Sequence, residues 1–329
     1  MHEKLRKNLS KIINYNIKIK STKFKIKSTK MKLINKGKVK EVYEVMNNEL
    51  EFLFTNNISV FDQIIPSQIP SKGEVLCRCS AFWFKKIKDI VKTHFIKVVP
   101  PNKMRVKRVD IIYDYDKINN ETTNYLIPLE FILRWYNAGS LYANMIKGKI
   151  KPEDVGFEKD HKPVYGEPLP EPLFEQTTKL EPTDRKLTTD EAIKISGLTK
   201  DELARIKEIC IKIDEKMDSE VRKQGLMHAD GKKEFAMNEN REIMILDTFG
   251  TPDEDRFWDV SEYEKGNIRE FSKEFVRKYY EEISHKSKLD AARENGLEEP
   301  QIPPLPEDMI NQTSELYVNL FEKITGEKF

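Results

Sequence analysis

From Gly225 to Trp258 apolar and polar residues alternate with a period of two, interrupted at Gly231 and at the polar run Asn238 to Arg241. Strand side chains point alternately to opposite faces, so the pattern predicts strands over Leu226 to Asp230, Lys233 to Met237 and Glu242 to Phe249, with turns at Gly231 and 238–241. A two-residue loop in the second turn pairs even positions with odd ones. Lys232, Glu234 and Asp247 then share a face with Ala236, Ile243 and Ile245, while Phe235, Met237, Met244 and Leu246 take the other. Both faces are apolar, so a largely buried hairpin is expected.

Helical spacing governs other stretches. Val75, Leu76, Cys79, Phe82, Trp83, Ile87, Ile90 and Val91 predict a helix over Glu74 to Val91. Thr188-Thr-Asp-Glu191 and Thr199-Lys-Asp-Glu202 are capping boxes; the second opens a stripe of Leu203, Ile206, Ile209, Cys210, Ile213 and Met217. Two further stripes, within 271–283 and 309–324, flank a proline-rich linker, Pro300 to Pro306. Strands are predicted around a glycine turn at Asn35 to Gly37, at Glu51 to Phe54, and near 94–99 and 104–115. Ile127 to Arg134 reads as a strand leading through Gly139-Ser140 into a short helix. Prolines 152, 163, 168, 170, 172 and 182 predict an extended loop over 151–187.

Asn119 to Thr123 reads as a boundary between a lobe at 31–122 and a lobe at 123–329. Residues 1–30 differ in kind: the unit Lys-Ile-Lys-Ser-Thr-Lys occurs at 18–23 and again at 25–30, with Glu3 the one acidic residue. Such a basic, low-complexity segment cannot bury a core and is expected to be a disordered, dispensable extension.

Composition narrows the class. The 329 residues are 38% hydrophobic and 34% charged, with a net charge of +2 and a mean hydropathy of -0.63. No apolar run approaches a membrane span, and the near-balanced charge gives no global field for nucleic acid. Three cysteines, Cys77, Cys79 and Cys210, point to reduced thiols and a cytoplasmic address. Neither they nor the five histidines have zinc-ligand spacing.

Candidate chemistry lies in three places. Two carboxylates on one partly buried face repel by about 4 kcal/mol at about 4 Å and an effective dielectric of about 20. Glu234 and Asp247 therefore need a proton, a lysine such as Lys232, or a divalent cation that also bridges phosphates. Lys36-Gly37-Lys38-Val39-Lys40 can lay backbone N–H groups and ammonium groups over phosphates, or be an ordinary solvated turn. Arg134, set in an apolar strand, needs a phosphate, a substrate carboxylate or an internal ion pair.

Taken together, KGKVKEVYEV, ISVFD, PSKGEVLCRCSAFWF, IPLEFILRWYNAGS, LPEPLFEQTTK, ADGKKEF and LDTFGTPDEDRFW closely resemble the SAICAR synthetase family of purine biosynthesis, over about residues 33–329. The resemblance implies a two-lobed α+β fold of the ATP-grasp-like kind. It implies an ATP- and Mg²⁺-dependent ligase that joins L-aspartate to the carboxylate of carboxyaminoimidazole ribonucleotide (CAIR), with small-molecule substrates and no nucleic-acid or membrane partner. By the same resemblance Lys38, Lys40 and Lys179 would contact ATP, and Glu234 and Asp247 would hold Mg²⁺. Arg134, Ser140 and Arg256 would hold the ribonucleotide, chiefly its phosphate, with Asp230 and Lys232 as catalytic groups at its imidazole end. The chain departs from the family pattern at Asn56-Asn57, at Thr248, where a carboxylate beside the metal is usual, and at Ala236. A kinase-like phosphotransferase and a catalytically dead binding homologue are the alternatives; consumption of aspartate separates the ligase from both.

Overall fold

A computed structural model describes residues 31–45, 48–271 and 273–329. In chain order, β1 (Lys32–Lys36), β2 (Lys40–Glu44), β3 (Glu49–Phe54), β4 (Asn57–Val60) and β5 (Gln63–Gln68) lead to helix α1 (Lys72–Lys86). After β6 (Lys92–Thr93), β7 (Phe95–Val99) and β8 (Lys103–Lys107) come β9 (Tyr125–Tyr136), α2 (Gly139–Ile146), β10 (Pro168–Thr178), α3 (Thr189–Ser196) and α4 (Lys200–Arg222). The rest is β11 (Leu226–Met237), β12 (Ile243–Leu246), β13 (Asp255–Asp259), α5 (Val260–Tyr263), α6 (Glu274–Glu282), α7 (His285–Glu294) and α8 (Glu307–Thr325). The expectation for residues 1–30 lies outside the described residues.

One antiparallel sheet has the order β1-β2-β3-β8-β7 and draws on residues 32–107 alone. A second runs β10-β9-β11-β12-β6, with β13 also pairing β11, and β4 and β5 form a small ribbon. Helix α1 packs between the first sheet and α8, and α4 lies along β11. One core of buried side chains, including Phe52, Phe84, Trp83, Phe131, Phe235, Ile213 and Phe321, runs through these layers. The architecture is α+β.

Local chemistry explains the elements. The α4 stripe Leu203, Ile206, Ile209, Cys210, Ile213 and Met217 is buried as its period requires. Both capping boxes close: Glu202 N–H donates to Thr199 Oγ1 (3.1 Å) while Thr199 N–H donates to Glu202 Oε2 (2.8 Å), and Thr188 and Glu191 do the same. Each such cap stabilises its helix by about 1 kcal/mol. The helix expected over 74–91 begins at Lys72 and ends at Lys86, the remainder being turns. The strand expected over 104–115 stops at Lys107.

Three expectations are overturned. Gly231 is no turn: β11 is continuous, and the glycine serves close packing, because a Cβ there would overlap the carboxylate of Asp255. Residues 168–178 are not loop but the edge strand β10. A strand bonded on one side alone tolerates prolines, whose missing N–H groups can face outward, and its ladder with β9 is broken between Pro168 and Leu173, where Pro170 and Pro172 lie. The register of the β11–β12 hairpin is the third.

Candidate active site

The β11–β12 turn spans five residues, 238–242, so Met237 pairs with Ile243 and Glu234 with Leu246. An odd-length loop pairs even positions with even ones. Glu234 therefore shares its face with Ala236, Met244 and Leu246, which pack with Leu126, and Phe235, Met237 and Ile245 face the main core. Strict alternation would send Asp247 to the core side, away from Glu234. It does not, because β12 ends at Leu246 and Asp247 takes a left-handed backbone (φ 60°) that a short polar residue tolerates. The two carboxylates converge through that one residue and not through the register.

They converge on lysines. Lys179, the residue just after β10, pairs with Glu234 and lies 3.9 Å from Asp247 and 4.0 Å from Glu130. Lys40 pairs with Asp247 and sits 4.4 Å above the Phe52 ring. Lys232 Nζ bonds Glu130 (2.8 Å) and lies 3.3 Å from both Glu234 and Glu254. Lys38 pairs with Asp62 at 2.6 Å at the mouth of the cleft.

Three cavities adjoin here. A chamber of about 460 Å³ is lined by Gly37, Lys38, Lys40, Lys179, Glu234 and Asp247. On one side it shares Lys40, Lys179 and Asp247 with an apolar-walled cavity of about 690 Å³ between Val42, Leu50, Phe52, Leu126 and Leu246. On the other it shares Lys38, Lys232 and Glu254 with a wide cleft of about 1150 Å³ that holds Arg134, Ser140, Asp230 and Arg256.

In that cleft Asp230 is the hub. Arg134 donates from Nη1 to Asp230 (2.9 Å), from Nε to Glu175 (2.7 Å) and from Nη2 to Ser140 Oγ (3.2 Å). Arg256 donates from Nη1 to Asp230 at 2.6 Å, and its other end rests against Gly139, where a Cβ would overlap the guanidinium. An internal ion pair for Arg134 is thus present, and Ser140 and Arg256 stand beside it facing the cleft.

Burial and charge set the protonation states. Burial, the largest influence, pushes Asp247 upward, but Lys40, Lys179 and Lys232 outweigh it and hold its carboxyl well below the usual range. Asp230 is likewise buried and likewise lowered, by Arg256 and Arg134. Glu130 goes the other way. Burial, helped by Glu234, outweighs Lys232 and raises it from 4.5 to about 7. An acid with a raised folded pKa favours the folded state while protonated, so its contribution is complete below the unfolded value and fades as pH rises toward 7. Glu130→Gln is therefore expected to flatten the fall in stability between pH 4.5 and 7. Urea midpoints across that range check it, and a slope unchanged from wild type would refute it.

Sequence reasoning missed Glu130, Glu175, Glu254 and the pair Lys72–Asp253. Glu130 sits inside the apolar run Ile127 to Leu133, and a carboxylate in such a run was the available signal. Of the departures, Asn56 Oδ1 accepts Gly73 N–H (3.0 Å), Asn57 Nδ2 donates to Lys38 O (3.3 Å), Thr248 lines the central chamber and Ala236 is buried against Leu126. Among the described residues no three acidic, His or Cys side chains could hold a metal by themselves, and no helix is long and apolar enough to cross a membrane.

Comparison with known proteins bears on this geometry. The family model for SAICAR synthetase matches residues 33–294. A phosphoribosylaminoimidazole-succinocarboxamide synthase of Thermoplasma acidophilum is 53% identical over 299 residues, covering 91% of this chain and all of that one. The structure of SAICAR synthase from Saccharomyces cerevisiae, complexed with SAICAR, superimposes with a TM-score of 0.69 at 26% identity, covering 91% of this chain and 96% of that one. A SAICAR synthetase in complex with ADP gives 0.64 at 25% identity, covering 90% of this chain and 98% of that one. With the model matched over most of its length and a relative at that identity, the chain belongs to the SAICAR synthetase family.

Proposed function

We propose that the three adjoining cavities carry out one reaction, the ATP-dependent joining of L-aspartate to the carboxylate of CAIR to give SAICAR, ADP and phosphate. The observation that carries this is their order: an apolar cavity, a chamber of lysines and paired carboxylates, then a cleft with two arginines. A nucleoside, its phosphates and an anionic acceptor fit that order in line. The neighbours described with ADP and with SAICAR hold what the two ends would retain after turnover. We read residues 31–122, which carry the first sheet and lend β6 to the second, and residues 123–329, which carry the rest of the second sheet, as the two lobes, and the three buried thiols accord with a cytoplasmic enzyme.

An amine cannot expel oxide from a carboxylate. In the first step a CAIR carboxylate oxygen attacks the γ-phosphorus and ADP leaves, forming an acyl phosphate. The aspartate amine then attacks the acyl carbon, phosphate departs with the C–O bonding pair, and the amine proton is lost. Catalysis is positioning and charge stabilisation. Lys38, Lys40 and Lys179 would exchange their carboxylate partners for the ATP phosphates. Arg134, Ser140 and Arg256 would bind the ribonucleotide phosphate, their guanidinium planes fixed by Asp230. Asp230 and Lys232 would orient the imidazole end, with the Lys232 ammonium facing the developing charge. Glu234, whose buried Oε2 pairs with Lys179, and Asp247, paired with Lys40, offer hard oxygen donors around a spot now served by ammonium groups, and such donors would hold Mg²⁺. Bound there, Mg²⁺ would supply neutralisation of phosphate charge.

The test is ADP release with CAIR, with and without aspartate. Stoichiometric loss of aspartate supports the ligase, and release indifferent to aspartate favours the phosphotransferase. Arg256→Lys should weaken CAIR binding by roughly 1 to 3 kcal/mol, since an ammonium cannot reproduce the planar fork. An unchanged KM for CAIR would remove Arg256 from the site.

A further inference from the structure

Behind β11, away from the cleft, lies a set of charges that this reaction does not use. Asp214 of α4 pairs with Lys233 of β11, while His228 Nε2 lies 2.8 Å from Asp255 Oδ1 and its Nδ1 lies 3.8 Å from Asp214. All four side chains have 0% exposure. Apolar residues of similar volume often stabilise a core as well as such an ion pair does, so stability alone does not account for it.

What the cluster provides is a fixed direction for Asp255. One oxygen of that carboxylate meets His228 and the other accepts the N–H of Gly250. Gly250 closes the segment that begins at Asp247, and its carbonyl accepts Trp83 Nε1 at 2.9 Å. Asp255 also immediately precedes Arg256 and lies opposite Gly231 on β11. The remaining contacts hold the cluster in place: Trp135 Nε1 donates to Asp214 (3.2 Å), and the backbone N–H of His228 donates to Asp218 Oδ1 (3.0 Å). Burial lowers the His228 imidazole, but Asp214 and Asp255 outweigh it and raise it above its ordinary value.

We propose that Asp214, Lys233, His228 and Asp255 are positioning residues that, through Asp255, set the Asp247–Gly250 segment at the phosphate end and Arg256 at the acceptor end in one register. The inference rests on assigning those ends to ATP and CAIR. The test is steady-state kinetics on the full chain, with KM for ATP and KM for CAIR measured separately. Asp255→Asn cannot accept from both His228 and Gly250 and is expected to raise both KM values together, each by about ten-fold, the effect of losing one charged hydrogen bond. His228→Gln, which keeps a donor toward Asp255, should recover most of the loss seen in His228→Leu. Ile206→Ala, a cavity in the same helix α4, should lower Tm and leave both KM values unchanged. If Asp255→Asn does not fold, Trp135→Phe decides: it removes the indole donor to the Asp214 carboxylate and, reaching Asp255 only through the cluster, should raise both constants by roughly two- to three-fold, less than the direct loss of a charged hydrogen bond. Unchanged constants, or a shift in one substrate alone, in the folded variants would overturn the proposal. Wild-type protein that fails to turn over CAIR would overturn the functional assignment instead, before any variant is compared.

Discussion

Replacing Asp247 or Glu234 with alanine is expected to reduce turnover by at least about 10³-fold, which corresponds to roughly 4 kcal/mol of lost transition-state stabilisation. Each carboxylate supplies one of the two oxygen donors proposed for Mg²⁺, and neither has a neighbour to replace it: Glu130 is already bonded to Lys232, and Thr248 occupies the next position after Asp247. The fold should survive. Without Asp247, Lys179 keeps Glu234 and Lys40 keeps its seat over Phe52. Both variants should therefore melt close to wild type while remaining inactive at any Mg²⁺ concentration the assay tolerates. Near-normal turnover in either would end the metal assignment.

Asp253→Ala is expected to have the largest effect on stability. Lys72 is wholly buried, and its ammonium lies 2.7 Å from Asp253, whose other oxygen accepts the Tyr317 hydroxyl at 2.6 Å. Removing the carboxylate leaves a buried cation uncompensated and the hydroxyl without its acceptor, a loss of about 3 to 5 kcal/mol. The pH dependence carries a sign. Burial raises the Asp253 carboxyl, but Lys72 and Lys273 outweigh it and depress the folded-state pKa. Its contribution is thus present above the ordinary aspartate value of 3.8 and is lost as pH falls through the folded value. The gap between wild type and variant, read from urea unfolding, should be widest at neutral pH and close on acidification. A gap under about 1 kcal/mol at pH 7 would place this pair among weak surface-type contacts.

What the sequence disclosed follows from how local each signal is. The capping boxes and the α4 stripe depend on neighbours within one or two turns, and both were legible. So was the convergence of Glu234 and Asp247, although for a wrong reason, since loop parity cannot be read without knowing where a turn begins and the left-handed Asp247 leaves no mark in composition. Prolines 168, 170 and 172 suggested a loop because only the sheet order reveals β10 as an edge. Gly231 suggested a turn because the residue that needs its missing side chain, Asp255, lies 24 positions away in the chain. Lys233 and Asp214 escaped notice for the same reason, each being unremarkable until the other is placed beside it.

The five-residue turn at 238–242 has a consequence for how this hairpin can change length. Adding or removing two residues there keeps every side chain of β12 on its present face. Adding or removing one exchanges the faces, turning Ile243 and Ile245 out of the main core and Met244 and Leu246 into it, and it relocates the point at which Asp247 must swing back. A change of loop length that keeps both faces must therefore come in even steps, so that the spacing between Glu234 and Asp247 is a matter of parity before it is a matter of distance.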